Sequence, residues 1–191
     1  MIAILGICAH HMETLLELHE RIAELRVENA RLRERIYELE SAKGIIAERY
    51  INELIGGVLT TGHAAHDITT PEGKRIEVKF ARLNIPMDTS ASRRWSWGHP
   101  LGSAGAKQFD SLVLVGEVDP RFRELYREPS SPYVIFDVPF ESVPTLMGKS
   151  TVIQVTTNPR RKFGKAARIA NTLFQQFHIT SEDLRAKYKR A

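Results

Sequence analysis

The sequence predicts an α/β fold in which helices flank a mixed central sheet and an N-terminal helix forms a parallel coiled coil. Three observations support this class: an apolar heptad repeat near the N terminus, short apolar strands in the middle, and an amphipathic segment near the C terminus. With 191 residues, 42% of them hydrophobic, the chain can bury a substantial core. We therefore expect a dimerisation segment over residues 1–43 and a folded domain with basic C-terminal helices over residues 44–191.

The first segment has the a and d pattern of a leucine zipper. Both sets of positions recur every seven residues, with Leu18, Leu25, Leu32 and Leu39 at d, and Leu15, Ile22, Asn29 and Ile36 at a. Isoleucine at a with leucine at d favours two parallel strands. Asn29 favours one register, because two facing amides can hydrogen-bond only there. The pattern therefore predicts a homodimer through this helix.

The heptad repeat has two other possible interpretations. An amphipathic helix that packs on its own domain stays open as an alternative. A basic zipper that reads DNA is disfavoured, because such a protein needs a basic helix just before the zipper. That place holds Cys8, His10, His11 and Glu13.

The middle of the chain reads as a helix followed by a hairpin. A second apolar stripe predicts a helix over residues 47–54, separated from the zipper by Gly44 and ended by two glycines. Residues 66–70 then meet a turn at 71–74, and residues 75–80 return as an alternating strand. Because side chains alternate along a strand, Ile76, Val78 and Phe80 share one face, and Glu77 and Lys79 share the other.

Asp67, on the neighbouring strand, is expected to meet Glu77 and Lys79 at one point. Two carboxylates and an ammonium then converge, and oxygen ligands of this kind suit Mg²⁺. We expect these side chains at the edge of the sheet, outside the core. The alternative is a surface hairpin held by a cross-strand salt bridge.

Asp67 followed by Glu77-Val78-Lys79 resembles the motif of the PD-(D/E)XK nuclease superfamily, especially type II restriction endonucleases. The resemblance implies that Asp67 and Glu77 hold Mg²⁺, that the backbone carbonyl of Val78 joins them, and that Lys79 assists the nucleophile. It also implies metal-assisted, sequence-specific cleavage of double-stranded DNA. The residue before the aspartate is His66, where the motif has proline.

The resemblance extends over roughly residues 47–157 and implies a restriction-endonuclease-like fold. Glu48, on the helix before the hairpin, corresponds to a further metal ligand of the family, with Glu53 as the alternative. A central strand is expected at residues 109–116, with residues 133–138 and 152–156 extending the same sheet.

Two basic regions are candidates for contact with DNA. Residues 93–99 read as a loop of cations and aromatics, although Trp95 or Trp97 is alternatively a core residue. From residue 158 onward, nine Lys or Arg oppose two acids, which gives this stretch a net charge of +7. Because the whole chain carries +4, residues 1–157 carry −3. Lys107 and Gln108 lie just before the expected central strand, near the predicted metal site. The candidate DNA-binding residues are Arg93, Arg94, Trp97, Lys107, Gln108, Arg160, Arg161, Lys162 and Lys165.

Several other classes of protein are disfavoured by the sequence. The single cysteine excludes an internal disulfide and a cysteine zinc cluster. His10, His11, His63 and His66 lack the spacing of a zinc site, and no phosphate-binding P-loop motif is present. No stretch approaches the roughly 20 apolar residues of a membrane span, so we expect a cytoplasmic protein of bacterial or phage origin.

Three other functions are compatible with the sequence. The first is a non-catalytic DNA-binding protein of the same fold, and the second is a structure-selective nuclease. The third is a coiled-coil assembly protein whose globular part only caps the zipper.

Overall fold

The computed structural model describes residues 2–61, 64–84, 93–102 and 107–189. Within the first helix, the side chains of residues 2–16, 33, 34, 36, 37 and 39–41 lie outside this description. The chain divides into two compact units, Met1–Lys43 and Gly44–Ala191. No helix in the described part of the chain is long and apolar enough to cross a membrane.

The first helix, α1, is continuous over Ile2–Ile55. The expectation of a distinct helix over residues 47–54, after a loosening at Gly44, is therefore wrong. A single interior glycine costs only about 1 kcal/mol relative to alanine, which good helix formers on both sides offset. The helix ends at Gly56, whose φ of 66° is left-handed and whose N–H donates to the carbonyl of Asn52 at 2.9 Å. This is a glycine cap, so the predicted end of the helix is confirmed to within a residue.

The apolar heptad positions of α1 are exposed in the single chain. Leu18, Ile22, Leu25 and Leu32 keep between 42% and 58% of their surface accessible. The side-chain amide of Asn29 donates to the carbonyl of Leu25 at 3.0 Å, within its own helix. The side chains of Leu15, Ile36 and Leu39 lie outside the described part. The coiled coil stays a prediction.

In the described part of the second unit there are eight strands and three further helices. The strands are β1 Val58–Leu59, β2 Ile68–Thr69, β3 Arg75–Ala81, β4 Arg94–Gly98, β5 Ser111–Glu117, β6 Tyr133–Pro139, β7 Val152–Thr156 and β8 His178–Ile179. The helices are α2 Val143–Met147, α3 Lys165–Thr172 and α4 Ser181–Tyr188, with 3-10 turns at Arg123–Leu125 and Phe140–Ser142 and a π-helical turn at Leu173–Phe177.

Six of these strands form one sheet in the order β1-β2-β3-β5-β6-β8. The β3–β5 pair is parallel and the other pairs are antiparallel, which confirms the predicted α/β class with a mixed central sheet. The prediction that residues 152–156 extend this sheet is wrong. They form β7, which pairs with β4 in a separate two-stranded sheet.

Both faces of the central sheet are covered. On β5, Val113 and Val115 pack with the end of α1 and with α4, whereas Leu112 and Leu114 pack towards β4, β7 and α3. A strand buried on both faces reads as a continuous apolar run, as β5 does. β3 is the parallel neighbour of β5. It lies between β2 and β5 and is therefore also an interior strand of the sheet.

Trp95 and Trp97 project from β4 into the core, and both are fully buried. The indole N–H of Trp97 donates to the carbonyl of Val115 at 3.0 Å, and that of Trp95 to the carbonyl of Glu117 at 2.8 Å. Buried indoles need such partners. The assignment of Trp97 to DNA binding is therefore wrong, and the predicted loop at residues 93–99 is largely a strand.

Candidate functional site

The β2–β3 hairpin places Asp67, which directly precedes β2, beside the strand that carries Glu77 and Lys79. Gly73 has a φ of 80°, which permits the tight turn between β2 and β3. The backbone N–H of Asp67 donates to the carbonyl of Ile76 at 3.0 Å. Its side-chain Oδ2 accepts from the backbone N–H of Val78 at 2.8 Å. The carboxylate of Asp67 is thus tied directly to β3.

Glu77 is the centre of the polar cluster. Its Oε1 atom lies 2.8 Å from the ammonium of Lys79 and 2.5 Å from that of Lys107. The Lys107 ammonium also lies 3.8 Å from Oδ1 of Asp67. One oxygen of Glu77 therefore meets two cations, and one of these cations lies between two carboxylates.

The other oxygen of Glu77 is different. Oε2 is buried and has no hydrogen-bond partner among the described residues, in a side chain that is 0% exposed. An unpartnered buried carboxylate oxygen is costly, because it has lost water without gaining a donor or a cation. This atom is suited to a ligand that supplies positive charge.

Burial and mutual repulsion raise the pKa values of two carboxyl groups in this cluster. Burial is the largest cause of the raised pKa of Glu77, and the charge of Asp67 is the next. The pKa of Glu48, on the last turns of α1, is raised by burial first and then by Asp67. Lys79 opposes the shift in both groups. Asp67 and Glu77 thus share the charge of two ammoniums, and Glu48 lies near enough to these charges for them to affect its pKa.

The structure therefore brings together Asp67, Glu77 and Lys79 of the predicted site. Glu48 falls within range of the charges of Asp67 and Glu77, whereas Glu53 is exposed. The side chain of Val78 faces the apolar cluster under α1. The prediction that these side chains lie at an exposed edge of the sheet is wrong for Glu77, which is fully buried. β3 lies between β2 and β5, so it is an interior strand. The alternation of residues along a strand does not show what covers its polar face.

The sequence placed Lys107 near the predicted site but assigned it only to DNA, so its ion pairs with Glu77 and Asp67 were missed. Lys107 comes four residues before Ser111, which pairs with Ile76 in the parallel β3–β5 ladder. Parallel strands begin at the same end of a sheet. Residues just before β5 are therefore carried to the start of β3, and this pairing is the signal that locates Lys107 near Glu77.

The donor set fits Mg²⁺, which prefers one or two carboxylates and fills its shell with water and phosphate oxygens. Among the described residues, no three acidic, histidine or cysteine side chains close around a single point. In their place, ammonium groups surround Oε1 of Glu77. His63 and the side chains of His10 and His11 lie outside the described residues.

The candidate DNA-binding arginines at the start of β4, Arg93 just before it and Arg94 within it, have different environments. Arg93 points to the buried carboxylate of Asp119, with an Nη1–Oδ1 distance of 3.4 Å. Asp119 also binds Arg121 at 2.8 Å, so Arg93 belongs to a structural network. The guanidinium of Arg94 donates to Gln154 of β7 at 3.3 Å and remains partly exposed.

Arg94 shares a cavity of about 360 Å³ with the basic turn before α3. Arg161 and Lys165 line the same cavity, and Phe163, 83% exposed, stands at it. The neighbouring Arg160 and Lys162 are exposed, as is Gln108 near the polar cluster. Arg94 thus lies on the same surface as Arg161, although the two are 67 residues apart in the sequence. A surface with several cations suits phosphate oxygens.

A search of protein-family models and a search of curated proteins found no match to this chain. The chemistry of the polar cluster therefore rests on its own geometry: two acids joined to one strand, two ammoniums, and a buried oxygen without a partner.

Proposed function

We propose that the chain is a Mg²⁺-dependent endonuclease of the PD-(D/E)XK type that cleaves double-stranded DNA at specific sequences. The observation that carries this proposal is the cluster of Asp67, Glu77 and Lys79 on the β2–β3 hairpin. Its buried Oε2 atom of Glu77 has no hydrogen-bond partner among the described residues. The topology of a mixed sheet with a helix before the hairpin is compatible with the fold of that superfamily.

The ligands of the metal would come from one hairpin and one helix. Asp67 and Glu77 would hold Mg²⁺, with the carbonyl of Val78 and the carboxylate of Glu48 completing the protein side. When bound, Mg²⁺ polarises the phosphodiester and lowers the pKa of a coordinated water. Asp67 keeps its orientation through the Val78 N–H, so one oxygen of its carboxylate remains directed by β3.

Lys79 would contribute positive charge to the reacting phosphate. Its ammonium is held 2.8 Å from Glu77, and its side chain remains 26% exposed. A cation fixed in place needs no reorganisation when negative charge develops on the phosphate oxygens. Lys79 therefore stabilises the transition state without itself serving as a metal ligand.

The basic surface and the heptad repeat complete the proposal. Arg94, Arg161 and Lys165 would bind backbone phosphates, which supply much of the affinity for DNA. A parallel dimer through Leu18, Leu25 and the other heptad positions would supply two active sites. Two sites related by a twofold axis suit two antiparallel DNA strands and a palindromic sequence.

Cleavage of a long linear DNA tests this proposal. The wild-type protein is incubated with and without Mg²⁺, and the ends of the products are sequenced. Discrete ends that require Mg²⁺ are expected, and Glu77→Gln should abolish them while the variant still binds DNA. Ends at junctions would indicate a structure-selective nuclease, and absence of any cleavage would contradict the proposal.

One observation favours a second candidate, a DNA-binding protein of the same fold without catalysis. Both ammoniums already neutralise Oε1 of Glu77. Such a protein would bind DNA with a strong salt dependence and would show no calorimetric heat on addition of Mg²⁺. Binding without metal uptake would therefore replace the first proposal with this one.

A further inference from the structure

The ammonium of Lys107 lies between Asp67 and Glu77, the two carboxylates that the proposed function assigns to the metal ion. Its ammonium lies 2.5 Å from Oε1 of Glu77 and 3.8 Å from Oδ1 of Asp67, so it bridges the two carboxylates. Mg²⁺ binds carboxylate oxygens at about 2.0–2.1 Å. A metal ion held by Asp67 and by either oxygen of Glu77 would therefore compete with the Lys107 ammonium for the charge of the same two carboxylates.

The two lysines of the cluster differ in how they are held. Lys79 belongs to β3, which is hydrogen-bonded in the sheet on both sides. Lys107 lies outside the strands, and its backbone N–H donates to the carbonyl of Leu101 at 3.2 Å. A cavity of about 460 Å³ adjoins Lys107 and is lined by Arg75, Gln108, Phe109, Asp110, Phe140 and Glu141. The Lys107 side chain can turn towards this space without breaking a strand.

We propose that Lys107 is a displaceable internal counter-ion, which neutralises Asp67 and Glu77 in the metal-free protein and is released when a divalent cation binds. This inference rests on the proposed metal site. The metal-free protein needs such a cation, since two close carboxylates repel each other in a buried setting. The released ammonium then lies beside the site and is available to a phosphate of the bound DNA.

Lysine labelling of the wild-type protein tests the displacement directly. A low dose of an amine-acylating reagent is applied with and without Mg²⁺, and the modified peptides are quantified by mass spectrometry. Labelling of Lys107 should rise several-fold on addition of Mg²⁺, because its ion pairs are lost. Lys149, which is exposed and outside the cluster, serves as the reference and should not change.

Calorimetric titration of variants with Mg²⁺ provides the second readout. Lys107→Met removes the competing cation and should tighten the Kd for Mg²⁺ about tenfold, whereas Lys107→Arg should leave the Kd within about threefold of wild type. Lys149→Met makes the same charge change elsewhere and is the matched control. Circular dichroism establishes that each variant is folded, and the labelling experiment does not depend on any variant.

The failures are distinguishable. Mg²⁺ binding by all variants with one common Kd, with unchanged labelling of Lys107, would overturn the inference and leave the nuclease proposal standing. No Mg²⁺ binding by wild type or by Lys107→Met would overturn both. A tighter Kd in Lys107→Met with constant labelling would also refute displacement, since the effect would then be purely electrostatic.

Discussion

Oδ2 of Asp67 accepts the backbone N–H of Val78 at 2.8 Å, so the first acid of the cluster is hydrogen-bonded to the strand that carries the second. Val78 lies directly between Glu77 and Lys79 in the sequence. The Asp67 side chain is therefore held in one orientation by the backbone of β3. The position of this carboxylate thus depends on a backbone hydrogen bond as well as on the charges of the cluster.

This hydrogen bond separates two substitutions of Asp67. Asp67→Asn retains an oxygen that can accept from Val78 and should unfold with a free energy close to that of wild type. Asp67→Ala leaves the partly buried N–H without that acceptor and should lose about 1–2 kcal/mol. Urea denaturation at pH 7 measures both. Both variants should lose Mg²⁺ binding, and an Asp67→Ala protein as stable as wild type would show that the bond contributes nothing.

Glu77→Gln should increase stability at neutral pH while it removes metal binding. The raised pKa of Glu77, caused first by burial and then by Asp67, means that the folded state disfavours the charged form. The stability contributed by this group is therefore full below pH 4.5, the ordinary pKa, and declines as pH rises. The glutamine cannot ionise and should escape that decline.

Urea midpoints of wild type and Glu77→Gln at pH 4 and pH 7.5 measure this effect. The difference in favour of the variant should grow from pH 4 to pH 7.5. A variant that is less stable than wild type at pH 7.5 by more than about 1 kcal/mol would instead assign a net stabilising role to the ion pairs of Glu77 with the two lysines.

His178 should make the protein sensitive to mild acid. Burial among Tyr126, Phe136 and Phe174 lowers the pKa of its imidazole to about 4. Because the folded pKa lies below the unfolded value of 6.5, the stability contribution is full above pH 6.5 and is lost as pH falls towards 4. The loss amounts to roughly 3 kcal/mol if the whole shift is expressed.

The matched control for His178 is phenylalanine, which keeps an aromatic ring but does not titrate. The free energy of unfolding of wild type minus that of His178→Phe should fall between pH 7 and pH 4.5. A constant difference over this range would mean that the imidazole is as easily protonated in the folded protein as in the unfolded chain.

The exposed heptad positions of α1 predict a parallel dimer. Cys8, the single cysteine of the sequence, stands seven residues before Leu15 and so continues the a positions. Mild oxidation of a parallel dimer should link Cys8 to Cys8, giving a dimer on a non-reducing gel. In an antiparallel dimer, Cys8 would cross-link only to a partner chain that carries a cysteine at the opposite end, such as a Cys8→Ser, Lys43→Cys chain. Mixing the two proteins distinguishes the arrangements.

Asn29 allows a further test of the zipper. Asn29→Ile should raise the thermal stability of the dimer and loosen its choice of oligomer, because a buried polar residue at a specifies register at a cost in stability. Sedimentation equilibrium with thermal unfolding measures both effects. If wild type and Asn29→Ile are both monomeric, the alternative of an amphipathic helix that packs on its own domain is favoured.

Arg161→Ala should weaken DNA binding about equally on all sequences. Arg161 shares its cavity with Arg94 and Lys165, and the three cations form a surface suited to phosphates. Loss of one phosphate contact should lower the slope of log Kd against log salt by about one unit. Arg94→Ala is the informative comparison, since a loss restricted to the preferred sequence would assign Arg94 to base readout.

Much of the local structure could be predicted from the sequence. The strands at residues 111–117 and 133–139 match the predicted apolar runs, and α1 ends at Gly56, one of the two glycines at which the sequence predicted its end. Caps and strand runs depend on neighbouring residues, which the sequence displays directly. The partners of strands do not, and for that reason the pairing of β7 with β4 was not foreseen.

For the candidate site, the sequence alone determined that Glu77 and Lys79 share one face of a strand and that Asp67 precedes them across a turn. A strand has a period of two, and Gly73 permits the turn, so both results are local. Only the tertiary structure decided that Glu77 is buried, that Lys107 bridges it to Asp67, and that Trp97 belongs to the core. Each of these depends on which strands lie side by side, and that is decided by the burial of apolar surface over the whole domain.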